Sequence, residues 1–116
     1  MTALHHIGRQ IPKELITAIV AAGRGKPLVE QFCEAPGVLS ISHHHARGAG
    51  TRRVRRGQLY FQEQDVVLVL VEAERAEEVF RALYDAGSIG RPGGGIMFAE
   101  PVLRGHPMMP FEGADW

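Results

Sequence analysis

Five arginines lie within the ten positions from Arg47 to Arg56, although the 116-residue chain carries 13 basic and 13 acidic residues and is neutral overall. Three glycines, Gly48, Gly50 and Gly57, lie among these arginines. A guanidinium group pairs with phosphate oxygens through two hydrogen bonds, and glycines let backbone amides approach an anion closely. We therefore expect this segment to bind an anionic ligand.

A second glycine-rich stretch, "AGSIGRPGGG" at 86–95, contains one further arginine, Arg91. Its glycines are Gly87, Gly90, Gly93, Gly94 and Gly95. Neither stretch matches the dinucleotide pattern GxGxxG or the P-loop pattern GxxxxGK[ST]. A glycine-rich loop or an arginine cluster alone is most often a solvated surface, but the two together favour an anionic ligand, and a nucleotide in particular.

The composition limits the classes of function. Neutral net charge disfavours sequence-independent nucleic-acid binding, which needs a basic domain. Cys33 is the only cysteine, which excludes an intrachain disulfide and a four-thiolate zinc site. No stretch resembles a signal peptide or is apolar over the length of a bilayer span, so we expect a cytoplasmic protein. No Ser-His-Asp or Cys-His spacing is present, so we expect neither enzymatic activity nor a catalytic cofactor.

Hydrophobic patterning predicts an α+β fold with elements in the order βαββαβ, the ferredoxin-like arrangement. Its four-stranded antiparallel sheet carries both helices on one face. The strands are predicted at 15–22, 38–45, 66–73 and 96–103. The first helix has Pro27 in its first turn and Cys33 buried on its apolar face, and the second helix stops at Gly87. The domain is predicted to span 14–106, with tails at 1–13 and 107–116.

Two of the predicted strands are apolar on both faces. In the third strand, positions 66, 68 and 70 face one way and positions 67, 69 and 71 the other, and all six are Val or Leu. Two helices cover only one face of a sheet, so the other face is expected to be buried against other subunits. The alternative is that the tails of the chain fold over this face. We predict an oligomer.

A run of three histidines, His43 to His45, suggests a metal site because imidazole is a common metal ligand. On a strand, His43 and His45 share one side and His44 faces the other. The alternative function is therefore a trimeric divalent-metal-binding protein of the cation-tolerance type that uses His43 and His45. A partly buried strand histidine without a metal is the competing interpretation.

The chain resembles the PII signal-transduction proteins and their PII-like relatives. The resemblance lies in "ARGAGTRR" after the second strand, "YDAGSIGRPGGG" at the end of the second helix and the following "IMFAEPVLRG", and it extends over about residues 14–106. It implies a homotrimer whose sheets face inward and whose intersubunit clefts bind adenine nucleotides. It also implies a T-loop at about 47–64, which docks on a target protein, and a B-loop at about 87–95.

Carried over position by position, the resemblance implies nucleotide-binding residues at the base of the T-loop, in the B-loop and beyond the last strand. These are Gly48, Gly50, Thr51, Arg52, Gly87, Ser88, Ile89, Gly90, Arg91, Gly93, Gly94 and Arg104. Farther along the T-loop, the residues expected to dock on the partner are Arg53, Arg55, Arg56 and Tyr60.

The segments "GTRRVR" and "VLRGH" are more similar to the PII-like proteins of inorganic-carbon uptake than to nitrogen-regulating PII. The resemblance thus adds bicarbonate or another small anion as an expected partner and a membrane transporter as an expected target. Ser88 and Gly95 replace two lysines of nitrogen-regulating PII, which removes positive charge from the phosphate end. We therefore expect ADP, AMP, ATP or cyclic AMP as effector, without a strong preference for ATP.

Overall fold

The computed structural model describes residues 11–48, 54–55, 58–59 and 62–103. Within these residues the chain forms two helices and six strands, together with a short 3-10 turn at Ala73–Arg75. In chain order the elements are β1 (Lys13–Ala21), α1 (Gly25–Phe32), β2 (Val38–Gly48), β3 (Val54–Arg55), β4 (Gln58–Leu59), β5 (Gln62–Glu72), α2 (Ala76–Ala86) and β6 (Ile96–Val102).

The main sheet has four strands in the order β2-β5-β1-β6, and every neighbouring pair is antiparallel. The connections through α1 and α2 complete the predicted ferredoxin-like arrangement, which confirms the predicted fold class. Among the described strands β6 pairs with β1 alone, so Pro101 lies on an edge strand, where a missing backbone donor is tolerated.

The hydrophobic core lies between the two helices and one face of the sheet. This face presents alternate residues of β1 and β5, in agreement with the two-residue period of a strand. The core residues are Ile16, Ala18, Val20, Leu28, Phe32, Val67, Val69, Val71, Ala76, Val79, Leu83 and Ile89. Leu28 and Phe32 lie one turn apart on α1, whereas the neighbouring Cys33 is exposed, so the prediction of a buried thiol was wrong.

Neither helix of the described residues lies over the opposite face of the sheet. Residues 15, 19, 66, 68 and 70 on this face are only partly buried, and Ile96 and Phe98 on β6 are each 44% exposed. The structure thus contains the second apolar face that the strand pattern predicts. The tails at 1–10 and 104–116 lie outside the described residues, and neither described helix is long and apolar enough to cross a membrane.

The strands β2 and β5 extend beyond their predicted limits. Arg47 and Gly48, placed in the T-loop by the sequence, continue β2 and pair with Glu63 and Gln62. The segment between the two long strands is therefore 49–61 rather than 47–64. Within it, β3 and β4 form a two-stranded ladder in a region where the sequence shows no periodicity.

Candidate functional site

The B-loop begins with a tight helix end. The amide of Ser88 donates to the carbonyl of Asp85 at 3.2 Å, and the amide of Ile89 donates to the carbonyl of Tyr84 at 3.1 Å. This pair of bonds forms a Schellman motif, which usually places a glycine in the left-handed conformation. Here Gly87 is right-handed and the left-handed residue is Ser88, at φ 54°. Gly87 thus ends the helix as predicted, but the conformational strain falls on the serine.

The remainder of the B-loop closes back on the end of β1. Arg91 to Gly94 form a turn with Gly93 at φ +74°, in which the Gly94 amide donates to the Arg91 carbonyl at 2.7 Å. A Cβ atom at Gly94 would lie 2.8 Å from the Ile89 carbonyl oxygen, and one at Gly95 would meet the Ile19 carbonyl oxygen. These two glycines are therefore required by the path of the chain itself.

Several backbone amides of the loop have no hydrogen-bond acceptor among the described residues. Within the described part of the chain, no hydrogen bond uses the backbone amides of Gly90 and Gly93. Both residues and Arg91 are exposed, so two N–H donors and one guanidinium group lie on the outer surface of the same loop. The phenol of Tyr84 lies over Gly90, where a side chain would meet it. Such donors suit an anionic group.

A cavity of about 390 Å³ lies beside the B-loop. It is lined by Ile19, Val20, Ala21, Glu63, Gln64, Gly93 and Gly95. The structure places the start of β5, which lies within the predicted T-loop range, next to the B-loop glycines of the same chain.

The predicted site residues divide into two groups. The structure brings together those of the B-loop, from Gly87 to Gly94, and places Gly48 at the end of β2. Arg55 lies in β3, and nothing is described of its side chain. The remaining predicted residues lie outside the described part of the chain, so their roles stay predictions. These are Gly50, Thr51, Arg52, Arg53, Arg56, Tyr60 and Arg104.

A second polar cluster surrounds Asp65, which is 1% exposed at the start of the apolar run of β5. Its Oδ2 accepts hydrogen bonds from the amides of Gly25 at 2.8 Å and Gly23 at 2.9 Å. Its Oδ1 lies 2.5 Å from Nδ1 of His45, the residue opposite it on β2. Burial by itself would raise the pKa of Asp65, but the two amides and His45 together lower that pKa below its ordinary value.

The histidines occupy the sides of β2 that the sequence predicts. His43 and His45 lie opposite Val67 and Asp65, on the helix-covered face, and His44 lies opposite Val66 on the other face. The Nδ1 atom of His43 is buried and has no hydrogen-bond partner among the described residues. No group of three His, Cys, Asp or Glu side chains in the described residues could hold a metal ion.

Sequence reasoning did not identify Asp65, Gly23, Gly25 or Tyr84. For Asp65 a signal was present, because position 65 continues the alternation of 67, 69 and 71 onto the buried face. A charged residue at such a position requires partners. The two glycines in "GRGK" could supply those partners as backbone amides, but no local pattern indicates which carboxylate they bind.

The chain's fold is shared with proteins of known structure, although no family profile and no curated protein sequence matches it. Bacillus subtilis GlnK, solved as an ATP complex, superposes with a TM-score of 0.62 at 14% identity over 78% of this chain and 82% of GlnK. Arabidopsis thaliana PII bound to citrate superposes with a TM-score of 0.60 at 18% identity over 79% of this chain and 78% of that protein. A DUF3240 family protein from Shewanella baltica superposes with a TM-score of 0.64 at 11% identity over 84% of this chain and 97% of that protein.

These identities are low, so the likeness establishes the fold alone. The two helices, the four-stranded sheet and its strand order are those of a ferredoxin-like subunit. The chain has a fold that it shares with PII proteins.

Proposed function

We propose that the protein is a PII-like regulator that binds an adenine nucleotide and signals through the segment between β2 and β5. The observation that carries the proposal is the B-loop. Its Gly93 lines a cavity of about 390 Å³, the amides of Gly90 and Gly93 donate no hydrogen bond among the described residues, and Arg91 is exposed. The shared fold with GlnK, a protein solved with ATP, supports the same function. The protein acts in the cytoplasm, as a homotrimer and without catalysis.

The charges of Glu63 in the cavity and of Arg91 in the B-loop suggest how a nucleotide would be oriented. Glu63 lines the cavity and would repel phosphate, whereas the exposed Arg91 would attract it. The phosphates therefore lie toward Arg91, and the sugar and base lie toward β1 and Glu63. Arg52 and Arg104 would complete the phosphate end, and a neighbouring subunit closes the cleft. Bicarbonate or another small anion is a further effector, and the target is a transporter or an enzyme.

Isothermal titration calorimetry against ATP, ADP, AMP and cyclic AMP tests this function. We expect micromolar affinity for at least one nucleotide, or about −8 kcal/mol, and no turnover of that nucleotide. Heat with Zn²⁺ or Cu²⁺ but none with any nucleotide would refute the proposal in favour of the cation-tolerance alternative at His43 and His45.

Single arginine substitutions locate the phosphates. Arg52→Ala and Arg91→Ala should each weaken nucleotide binding about tenfold, because a charge-assisted hydrogen bond contributes about 1.5–3 kcal/mol. The matched control is Arg81→Ala, which removes the same charge from the exposed face of α2, where Arg81 pairs with Glu77. Equal losses in all three variants would show a general charge effect and no defined site.

The double variant Arg55→Ala/Arg56→Ala tests the arginines farther along the segment between β2 and β5. We expect nucleotide affinity within about twofold of wild type, because these arginines serve the partner protein and not the phosphates. Docking on that partner should weaken and become less sensitive to salt. A loss of nucleotide binding as large as that of Arg52→Ala would contradict this division of the loop.

A further inference from the structure

The cavity beside the B-loop lies against the sheet face that neither described helix covers. Ile19, Ala21 and Gln64 line the cavity and lie on this face. The residues that alternate with them, Val20 and Asp65, are buried on the helix-covered face. The volume of about 390 Å³ lies within the range of about 300–1,000 Å³ that is typical of pockets for small molecules.

Most of the cavity lining cannot form side-chain hydrogen bonds. Among the described residues that line it, Glu63 and Gln64 have polar side chains, and the others are Ile19, Val20, Ala21, Gly93 and Gly95. A flat ring can lie against such an apolar wall and approach the glycines closely, but its polar edge needs hydrogen-bond partners. The side chains of Glu63 and Gln64 are therefore the candidates to bind that edge.

Glu63 and Gln64 face opposite sides of β5, because successive residues of a strand alternate. Glu63 is exposed and lies opposite Arg47 in the ladder with β2. Gln64 is half-buried and lies between Ala21 on β1 and Ala46 on β2. Both of these neighbours are alanines, so no longer side chain stands directly opposite Gln64. Its carboxamide has no hydrogen-bond partner among the described residues.

The residue after Gln64 holds this part of β5 in place. Asp65 is 1% exposed, and its Oδ2 accepts hydrogen bonds from the amides of Gly25 at 2.8 Å and Gly23 at 2.9 Å. These bonds join β5 to the turn that follows β1. The two strand ends that line the cavity are thus fixed to each other. The backbone of Gln64 therefore needs little rearrangement to bind a ligand, which favours specificity.

A carboxamide presents an acceptor oxygen beside an NH₂ donor, whereas an ionised carboxylate such as that of Glu63 can only accept. Adenine presents the matching pair, a 6-amino donor beside a ring-nitrogen acceptor, and glutamine forms two hydrogen bonds with this pair in protein–DNA complexes. We infer that Gln64 recognises the adenine base, accepting a hydrogen bond from the 6-amino group and donating one to the adjacent ring nitrogen. This inference rests on the proposed function and adds the residue that selects the base.

Calorimetry of the full chain tests the role of Gln64 by comparing AMP, ADP and ATP with the purine riboside phosphates of the same length, which lack the 6-amino group. The wild type should bind the adenine nucleotide about five- to tenfold more tightly than its analogue, because the analogue cannot donate to the Gln64 carbonyl. Gln64→Met keeps a side chain of similar length without the carboxamide. This variant should bind both ligands with affinities within about twofold of each other, and its binding of the analogue shows that it is folded.

The matched control is Gln31→Met, which makes the same replacement at an exposed position of α1. It should keep the wild-type preference for the 6-amino group. An undiminished preference in Gln64→Met would show that another group reads the base, and equal loss of both ligands would make Gln64 a structural residue. Either result, or a wild type without the preference, would overturn the inference while nucleotide binding stands. A wild type that binds none of these nucleotides would refute the proposed function as well.

Discussion

At the scale of single residues, Asp65 shows how a charge is accommodated in a nearly closed core. A carboxylate that is 1% exposed is costly unless its charge is matched by hydrogen bonds. Two amides and one imidazole provide that match, which is why the pKa of Asp65 is lowered despite burial. The position therefore contributes to stability as an anion.

The free energy of unfolding should fall when the Asp65 carboxylate becomes protonated in acid. A pKa that is lower in the folded than in the unfolded state contributes stability above about pH 3.9, and that contribution is lost as the pH falls through the folded pKa. We expect Asp65→Asn to reduce the free energy of unfolding at pH 7 by about 1–3 kcal/mol. This difference from wild type should shrink in acid. Urea unfolding of both proteins at pH 7 and at an acidic pH measures the change.

Asp85→Asn serves as the control for this measurement, because Asp85 is exposed on α2. Its effect should stay within about 0.5 kcal/mol at either pH. A loss in Asp65→Asn that is the same at pH 7 and in acid would show that the asparagine disturbs packing and that the charge is unimportant.

At the scale of elements, the B-loop is a closed structure whose glycines have different roles. Gly93 has φ +74° and open space around its Cα, whereas Gly95 has φ +143° and faces the Ile19 carbonyl oxygen. The amides of Gly90 and Gly93 donate no hydrogen bond among the described residues, and Gly94 and Gly95 allow the loop to close on β1. The glycine-rich composition thus reflects both ligand access and the path of the chain.

Alanine substitutions should separate these roles. Gly93→Ala should cost about 1–2 kcal/mol of folding free energy, the cost of a left-handed non-glycine residue. Gly95→Ala should cost about 1–3 kcal/mol more, because the added methyl group also collides with backbone of β1. Urea unfolding of the two variants gives the comparison. Equal losses would mean that the loop moves away from β1 without penalty.

At the scale of the whole molecule, one sheet face has no described element over it, and we expect a partner to cover it. One face of β1 and β5 packs against α1 and α2, and the other contains partly buried Leu68 together with Ile96 and Phe98, which are each 44% exposed. An apolar surface of this kind in a single subunit typically marks a protein interface. We expect three subunits to cover these faces mutually.

Light scattering should therefore report about three times the subunit mass of 12.7 kDa. Leu68→Glu places a charge at the centre of the open face and should yield monomers, because a buried unpaired carboxylate is costly. Ala82→Glu, at an exposed position of α2, should leave the assembly intact. A wild-type protein that is monomeric at micromolar concentration would contradict the trimer and the intersubunit cleft together.

Local patterns in the sequence were sufficient to predict the elements of the sheet. The continuous apolar run at 66–71 indicated β5 and its two apolar faces, and the helical spacing before Gly87 indicated α2 and its end. Such features depend on neighbours within a few positions, where strand and helix periodicities act. The limits of β2 and β5 were not predictable from local patterns. Their last residues are held by pairing across the two strands, as Arg47 is with Glu63, and a local pattern does not show this pairing.

The sequence by itself determined the βαββαβ order, the apolar strands and the two glycine-rich loops. Only the tertiary structure decided which distant residues meet: Asp65 with His45 and Gly25, and the B-loop with the start of β5. These contacts join residues up to 40 positions apart, and they depend on the register between strands. Register is set by packing of the whole sheet against its helices, and a shift of one residue would move Asp65 away from every partner.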